Sequence, residues 1–125
     1  MAEKQKTILI IEDEPTQLHA LEAIFLNKGF KVHTAVNGLE GFEKAKTEMP
    51  DIILLDIIMP VMDGVATLEK INTDPATKHI PVIMFTNFAL DEKIQPLMNP
   101  AKDHFLTKTN TPLKDIIKKV GSIFP

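Results

Sequence analysis

The chain has 125 residues, 44% hydrophobic and 25% charged, which is enough for one domain with a single substantial core. It contains no cysteine, which excludes disulfide bonds, thiol catalysis and zinc–thiolate sites. The net charge of −3 offers no basic surface for nucleic acid, and no run is apolar enough for a signal peptide or a membrane span. A cytoplasmic domain that binds neither nucleic acid nor membrane is predicted.

Short apolar runs alternate with segments of helical periodicity, a pattern typical of repeated strand–helix units around a parallel sheet. The first, third and fourth runs are almost continuously apolar, as expected of central strands that are covered on both faces. The second and fifth are half polar, which indicates edge strands. The predicted strands span residues 7–11, 31–35, 51–55, 80–85 and 103–107.

Helix-start and helix-end residues frame the first two predicted helices. Pro15 can occupy the first turn of the first helix, and Gly29 ends it. Asn37 can cap the second helix, in which Leu39, like Phe42 further along, is predicted to point inward. Both helices would therefore cover the sheet with an apolar stripe.

Prolines mark the fourth and fifth helical segments. Residues 90–98 contain Pro96, which lacks a backbone donor, so a short, kinked or divided helix is predicted there. Thr111 is predicted to cap the fifth helix and Pro112 to be its first residue. No linker interrupts the pattern, so residues 1–125 are predicted to form a single domain without an output domain.

The topology of such a sheet predicts where the polar residues meet. Right-handed crossovers and the polarity of the strands favour the order 2-1-3-4-5. A sheet of this kind binds its ligand beyond the carboxyl ends of its strands, between the first and the third. Glu12 and Asp13 follow the first strand, Asp56 the third, Thr86 the fourth and Lys108 the fifth. These five polar residues are therefore expected at one rim.

Three of these residues are acids at the ends of adjacent strands. Glu12, Asp13 and Asp56 would repel one another unless a cation lay between them. The sequence therefore predicts a divalent metal site, with a reaction at Asp56. Each of these residues alone would be read as a turn or cap residue, and the combination carries the prediction.

This combination resembles the receiver domain of response regulators across essentially the whole chain. The resemblance implies a flavodoxin-like (βα)5 fold with a doubly wound parallel five-stranded sheet. The residues that match the pattern of the family are Glu12-Asp13, Asp56, Met59-Pro60, Asp63-Gly64, Thr86 and Phe105-Leu106-Thr107-Lys108.

The resemblance implies that Asp56 accepts a phosphoryl group from a histidine kinase or a histidine phosphotransfer protein. Mg²⁺ would be bound by Asp13, by Asp56 and by the backbone carbonyl of Ile58, with Glu12 acting through a water molecule. The domain would assist its own phosphorylation and dephosphorylation, but its role would be signalling and not metabolic turnover. It would act as a monomer or as a phosphorylation-dependent dimer.

The resemblance also implies a switch. Lys108 would pair with Asp56 and then with the phosphoryl oxygens, while Thr86 would donate a hydrogen bond to the phosphoryl group. Phe105 matches the aromatic residue whose rotamer is coupled to Thr86. Phosphorylation would change the surface formed by the fourth and fifth strands and helices. In contrast, Asp63 is interpreted as a helix-start residue without a catalytic role.

The chain departs from the family after Lys108, where Thr109 replaces the usual proline. Because a cis bond before a residue other than proline costs about 2.5–4 kcal/mol, the bond before Thr109 is predicted to be trans, or cis under strain.

Three other functions are compatible with parts of this pattern. A receiver-like adaptor that acts without phosphorylation would not need the acids, and a receiver fragment of a larger regulator would continue beyond these residues. A Mg²⁺-dependent phosphatase with an aspartyl nucleophile would need a second acid two residues after Asp56, where the chain has Ile58. The phosphorylated receiver is therefore the preferred prediction.

Overall fold

The computed structural model of the protein describes residues 5–56, 63–86, 95–107 and 112–124. Strands and helices alternate along the chain, as predicted. They are β1 (Thr7–Ile11), α1 (Pro15–Asn27), β2 (Lys31–Ala35), α2 (Gly38–Glu48), β3 (Ile52–Leu55), α3 (Gly64–Thr73), β4 (Val82–Thr86), a 3-10 turn (Gln95–Leu97), β5 (His104–Thr107) and α4 (Leu113–Ile123).

The five strands form one parallel sheet in the order β2-β1-β3-β4-β5, which confirms the predicted topology. The three apolar strands are central and the two half-polar strands lie at the edges, also as predicted. The observed β3 and β5 begin one residue later than predicted, and β4 begins two residues later. Because β1 and β3 are parallel neighbours in the sheet, their carboxyl ends lie side by side.

Two hydrophobic cores cover the two faces of the sheet, because successive strand residues point to opposite faces. One core packs under α2 and α3, and the other under α1 and α4. The first contains Leu9, Ile11, Ile53, Leu55, Val82 and Met84 from the strands, with Phe42, Ala45, Leu68 and Ile71 from the helices. The second contains Ile8, Ile10, Ile52, Leu54, Ile83 and Phe85, with Leu18, Leu21, Phe25, Ile116 and Val120.

Most of the predicted helix boundaries are confirmed. Pro15 begins α1, Gly29 follows its end with φ of 91°, and the side chain of Asn37 accepts the N–H of Glu40 at 2.8 Å. The prediction for Leu39 was wrong, since this side chain is 47% exposed. The buried face of α2 consists of Gly38, Gly41, Phe42 and Ala45, and Leu39 lies about 110° from its centre.

The start of the last helix also differs from the prediction. Pro112 is the N-cap residue of α4, not its first helical residue, and it makes no side-chain cap bond. In the fourth helical segment, Pro96 lies in the 3-10 turn that ends at Leu97. Residues 87–94 lie outside the described part of the chain, and so does the bond between Lys108 and Thr109.

The buried carboxylate of Asp103 connects several elements at the amino ends of β4 and β5. One oxygen accepts the N–H of Val82 at 3.0 Å and the ammonium of Lys102 at 2.5 Å. The other accepts the side-chain amide of Asn72 and the N–H of Asn99, both at 2.9 Å. Asp103 thus connects the residues just before β5 to α3 and to β4.

The pKa of His104, on the edge strand β5, is lowered from its ordinary value of 6.5 by burial and by the positive charge of Lys119, against an opposing effect of Asp103. Because the unfolded chain binds the proton more tightly, this histidine favours folding above about pH 6.5 and loses that contribution as the pH falls below it. The free energy of unfolding of the wild type should therefore decline more between about pH 7.5 and pH 5.5 than that of His104→Gln.

Urea denaturation at both pH values measures this difference, with His19→Gln as the control because His19 is exposed on α1. Equal declines in the wild type and in His104→Gln would show that His104 does not contribute.

Among the described residues, no helix is long and apolar enough to cross a membrane.

Candidate metal centre

The backbone at the carboxyl ends of β1 and β3 places two acids next to each other. Ile11 of β1 is paired with Leu55 of β3, and the N–H of Asp56 donates to the carbonyl of Ile11 at 3.0 Å. On the other side, the N–H of Glu12 donates to the carbonyl of Ala35 at 3.0 Å. The sheet ladder therefore continues past the strands and fixes the backbone of Glu12 and Asp56.

The three predicted acids form one cluster at this rim. Glu12, Asp13 and Asp56 each offer a carboxylate oxygen, and these three atoms lie within 4.8 Å of one another. Glu12 is only 2% exposed and Asp56 7% exposed, while Asp13 is exposed. Carboxylates are costly to hold this close in a buried place, and hard oxygen donors suit Mg²⁺. The donor set therefore fits a divalent cation of this kind.

A fourth acid, Glu14, supports the cluster and was not identified from the sequence. Its N–H donates to Oε2 of Glu12 at 3.2 Å, and its own carboxylate caps α1. The signal available in the sequence was an acid directly before Pro15, the residue that begins the helix. That signal is weak because glutamate is not among the preferred capping residues.

The remaining predicted site residues are placed only in part. Thr86 ends β4 opposite Thr107 of β5, so its backbone reaches the same rim, but its side chain lies outside the described part of the structure. Ile58 and Lys108 also lie outside it. Phe105 is paired with Met84 and packs, partly buried, against the core under α2 and α3.

Other polar residues have structural roles. Asp63 caps α3 by accepting the N–H of Ala66 at 2.9 Å, which confirms its interpretation as a helix-start residue. His33 lies 3.4 Å from the carboxylate of Glu48, and no histidine belongs to the acid cluster.

A groove of about 470 Å³ lies between α3 and the 3-10 turn. It is lined by Asn72 and other residues near the amino ends of the strands, away from the cluster of Glu12, Asp13 and Asp56.

A five-stranded parallel sheet of this order, with an acid cluster where the strand order reverses, is typical of a receiver domain. Comparison with known proteins supports this class. The family model "Response regulator receiver domain" matches residues 8–120. The chain belongs to this family.

Two curated relatives illustrate the range of proteins that contain such a domain. The response regulator PleD of Caulobacter vibrioides is 41% identical over 113 residues, which cover 88% of this chain and 24% of PleD. The protein PilH of Pseudomonas aeruginosa is 36% identical over 102 residues, covering 81% of this chain and 84% of PilH. The chain therefore spans about a quarter of PleD and most of PilH.

A solved structure shares the fold over almost the whole chain. A chain of the CheX–CheY–BeF3–Mg²⁺ complex of Borrelia burgdorferi matches with a TM-score of 0.83 and 28% identity, covering 96% of this chain and 90% of that one. Receiver domains are signalling switches of two-component systems, bind Mg²⁺ at an acidic pocket and interact with histidine kinases or phosphotransfer proteins. The acid cluster of this chain is compatible with that metal.

Proposed function

We propose that this chain is a phosphoacceptor switch that receives a phosphoryl group on Asp56 from a histidine kinase or a histidine phosphotransfer protein. The observation that carries the proposal is the position of Asp56, a nearly buried carboxylate at the end of a central strand, within 4.8 Å of two further carboxylates. In this function residues 1–125 would act as one receiver domain.

Asp13, Asp56 and the backbone carbonyl of Ile58 would hold Mg²⁺, with Glu12 acting through a water molecule. When bound, Mg²⁺ would neutralise negative charge that develops on the transferred phosphoryl group. The CheX–CheY complex of B. burgdorferi, which contains Mg²⁺ and BeF3, supports this choice of cation. Two observations support binding of Mg²⁺ by Glu12 through a water molecule. Glu12 is almost fully buried, and one oxygen of its carboxylate already accepts the N–H of Glu14.

The chemical step needs only one nucleophile from this chain. A carboxylate oxygen of Asp56 bonds to phosphorus while the bond from phosphorus to the donor imidazole nitrogen breaks, and that nitrogen keeps the electron pair. Lys108 would pair with Asp56 beforehand and with the phosphoryl oxygens afterwards. Thr86 would donate a hydrogen bond to the phosphoryl group.

Phosphorylation would then shift the population of two arrangements of the surface around β4, β5 and α4. Phe105 would take part in this shift together with Thr86. The partial burial of Phe105 supports the proposal, since a side chain between core and surface has room to change its rotamer. The product would act on a downstream protein as a monomer or as a phosphorylation-dependent dimer, without direct binding to nucleic acid or membrane.

Intact-mass spectrometry after incubation with acetyl phosphate tests this function. The wild type should gain one phosphoryl group in Mg²⁺ and none in EDTA, and Asp56→Asn should gain none in either, because an amide cannot act as the acceptor. The exposed acid Glu43 on α2 provides the control, and Glu43→Gln should behave as the wild type.

An adduct that persists in Asp56→Asn would contradict the assignment of the acceptor. If acetyl phosphate gives no adduct, a phosphorylated histidine phosphotransfer protein replaces it as the donor. Failure with both donors would contradict the proposal and leave the phosphorylation-independent adaptor as the better explanation of the fold.

A further inference from the structure

Glu14 connects the acid cluster to the start of α1 through several hydrogen bonds. Its carboxylate accepts the N–H of Gln17 at 2.7 Å and the N–H of Thr16 at 3.3 Å. Its carbonyl accepts the N–H of Leu18 at 2.9 Å, which is the first bond of the helix. Its own N–H donates to Oε2 of Glu12 at 3.2 Å. Each polar group of Glu14 is therefore engaged.

The bond from the N–H of Glu14 orients a carboxylate that is almost fully buried. Glu12 is 2% exposed, so water has little access to fix its direction. A glutamate side chain has several rotatable bonds, and holding it in one position costs conformational entropy, which hydrogen bonds from fixed donors offset. The N–H of Glu14 is such a donor as long as the first turn of α1 remains in place.

The cap on α1 keeps that turn in place. Glu14 has extended backbone angles, φ −84° and ψ 114°, so the chain changes from strand to helix at this residue. Without a capping side chain the first turn of a helix frays, because its leading N–H groups lose their acceptors. Fraying at Glu14 would move the N–H that orients Glu12.

We infer that Glu14 is a positioning residue for the metal centre, with its helix cap holding the N–H that orients the carboxylate of Glu12. The inference rests on the proposed metal-dependent function and names one more residue on which that function depends. Glu14 lies outside the group of three acids whose oxygens converge, and its own oxygens are directed to Thr16 and Gln17. It therefore acts through Glu12 and not as a metal ligand.

Charge offers a competing explanation, since Glu14 is negative and lies near a cation site. Two neutral variants separate the explanations. Glu14→Asn removes the charge but keeps a strongly preferred capping residue, whereas Glu14→Ala removes both. A positioning role predicts that asparagine restores Mg²⁺ binding, and a purely electrostatic role predicts that both variants weaken it equally.

Mg²⁺ titration followed by amide resonances in nuclear magnetic resonance provides the measurement, because the chain has no tryptophan and no tyrosine for fluorescence. Glu14→Ala should weaken Mg²⁺ binding about three- to tenfold. Loss of a group that orients a metal ligand typically lowers metal affinity by about 10- to 100-fold, and Glu14 acts on only one of the three acids. Glu14→Asn should stay within about twofold of the wild type because its side chain can still cap α1.

Asn37→Ala serves as the matched control, because it removes the cap of α2, which packs on the opposite face of the sheet from α1. It should destabilise the fold to a similar extent and leave Mg²⁺ binding unchanged. Equal weakening in both Glu14 variants, or no weakening in either, would overturn the positioning role. A wild type that does not bind Mg²⁺ would overturn both the proposed function and the inference. The other outcomes require a wild type that binds Mg²⁺, and they concern only the role of Glu14.

Discussion

The Asp103→Ala variant is expected to unfold with a free energy about 3–5 kcal/mol below that of the wild type, which is a large part of the stability of a small domain. The substitution leaves the ammonium of Lys102, 13% exposed, without its carboxylate partner. It also removes the acceptor from the N–H groups of Val82 and Asn99. The side-chain amide of Asn72 loses one of its two acceptors and keeps the carbonyl of Leu97. Buried donors without partners are costly. In addition, α3, β4 and the segment before β5 lose the carboxylate that connects them.

Urea denaturation followed by far-ultraviolet circular dichroism measures this loss. Glu43→Ala removes the same charge from an exposed position on α2 and should change stability by about 0.5 kcal/mol or less. A loss of less than about 1 kcal/mol for Asp103→Ala would show that the network contributes little beyond what water provides in the unfolded chain.

The second large effect is expected at Gly41, where α2 packs directly on β1. A Cβ atom at this position would lie 2.8 Å from Cγ1 of Ile11 and closer still to its Cδ1. Overpacking of a core typically costs 1–3 kcal/mol, and the better helix propensity of alanine offsets about 1 kcal/mol of this. Gly41→Ala should therefore lower the free energy of unfolding by up to about 2 kcal/mol.

The same substitution at Gly121 provides a control of opposite sign. Gly121 is exposed in α4, and a Cβ atom there would have nothing within 4 Å. Gly121→Ala should therefore raise the free energy of unfolding by about 0.5–1 kcal/mol through helix propensity alone. If both variants were stabilised, the contact between α2 and Ile11 would be looser than the structure shows.

The sheet and the three clustered acids could be predicted because they depend on local patterns. Continuous apolar runs indicated central strands, and residues that follow adjacent strand ends must meet at one rim of a parallel sheet. Glu12, Asp13 and Asp56 are brought together in this way. The position of the acid cluster thus follows from the order of the strands.

Other features depend on contacts that periodicity does not reveal. Leu39 was expected inside because it is apolar, but the close approach of α2 to β1 uses Gly41, so the helix turns its glycine face inward and exposes Leu39. The partners of Asp103 come from α3, β4 and the segment before β5, which are scattered along the sequence. The capping role of Glu14 was missed because glutamate is an uncommon cap.

The decisive measurement identifies the residue that carries the phosphoryl group. An acyl phosphate is reduced by borohydride to the alcohol, so a phosphorylated aspartate becomes homoserine, which peptide sequencing detects. After reaction with acetyl phosphate and Mg²⁺, we expect homoserine at position 56 and unmodified Glu12 and Asp13. Modification at another acid, or at a histidine, would contradict it.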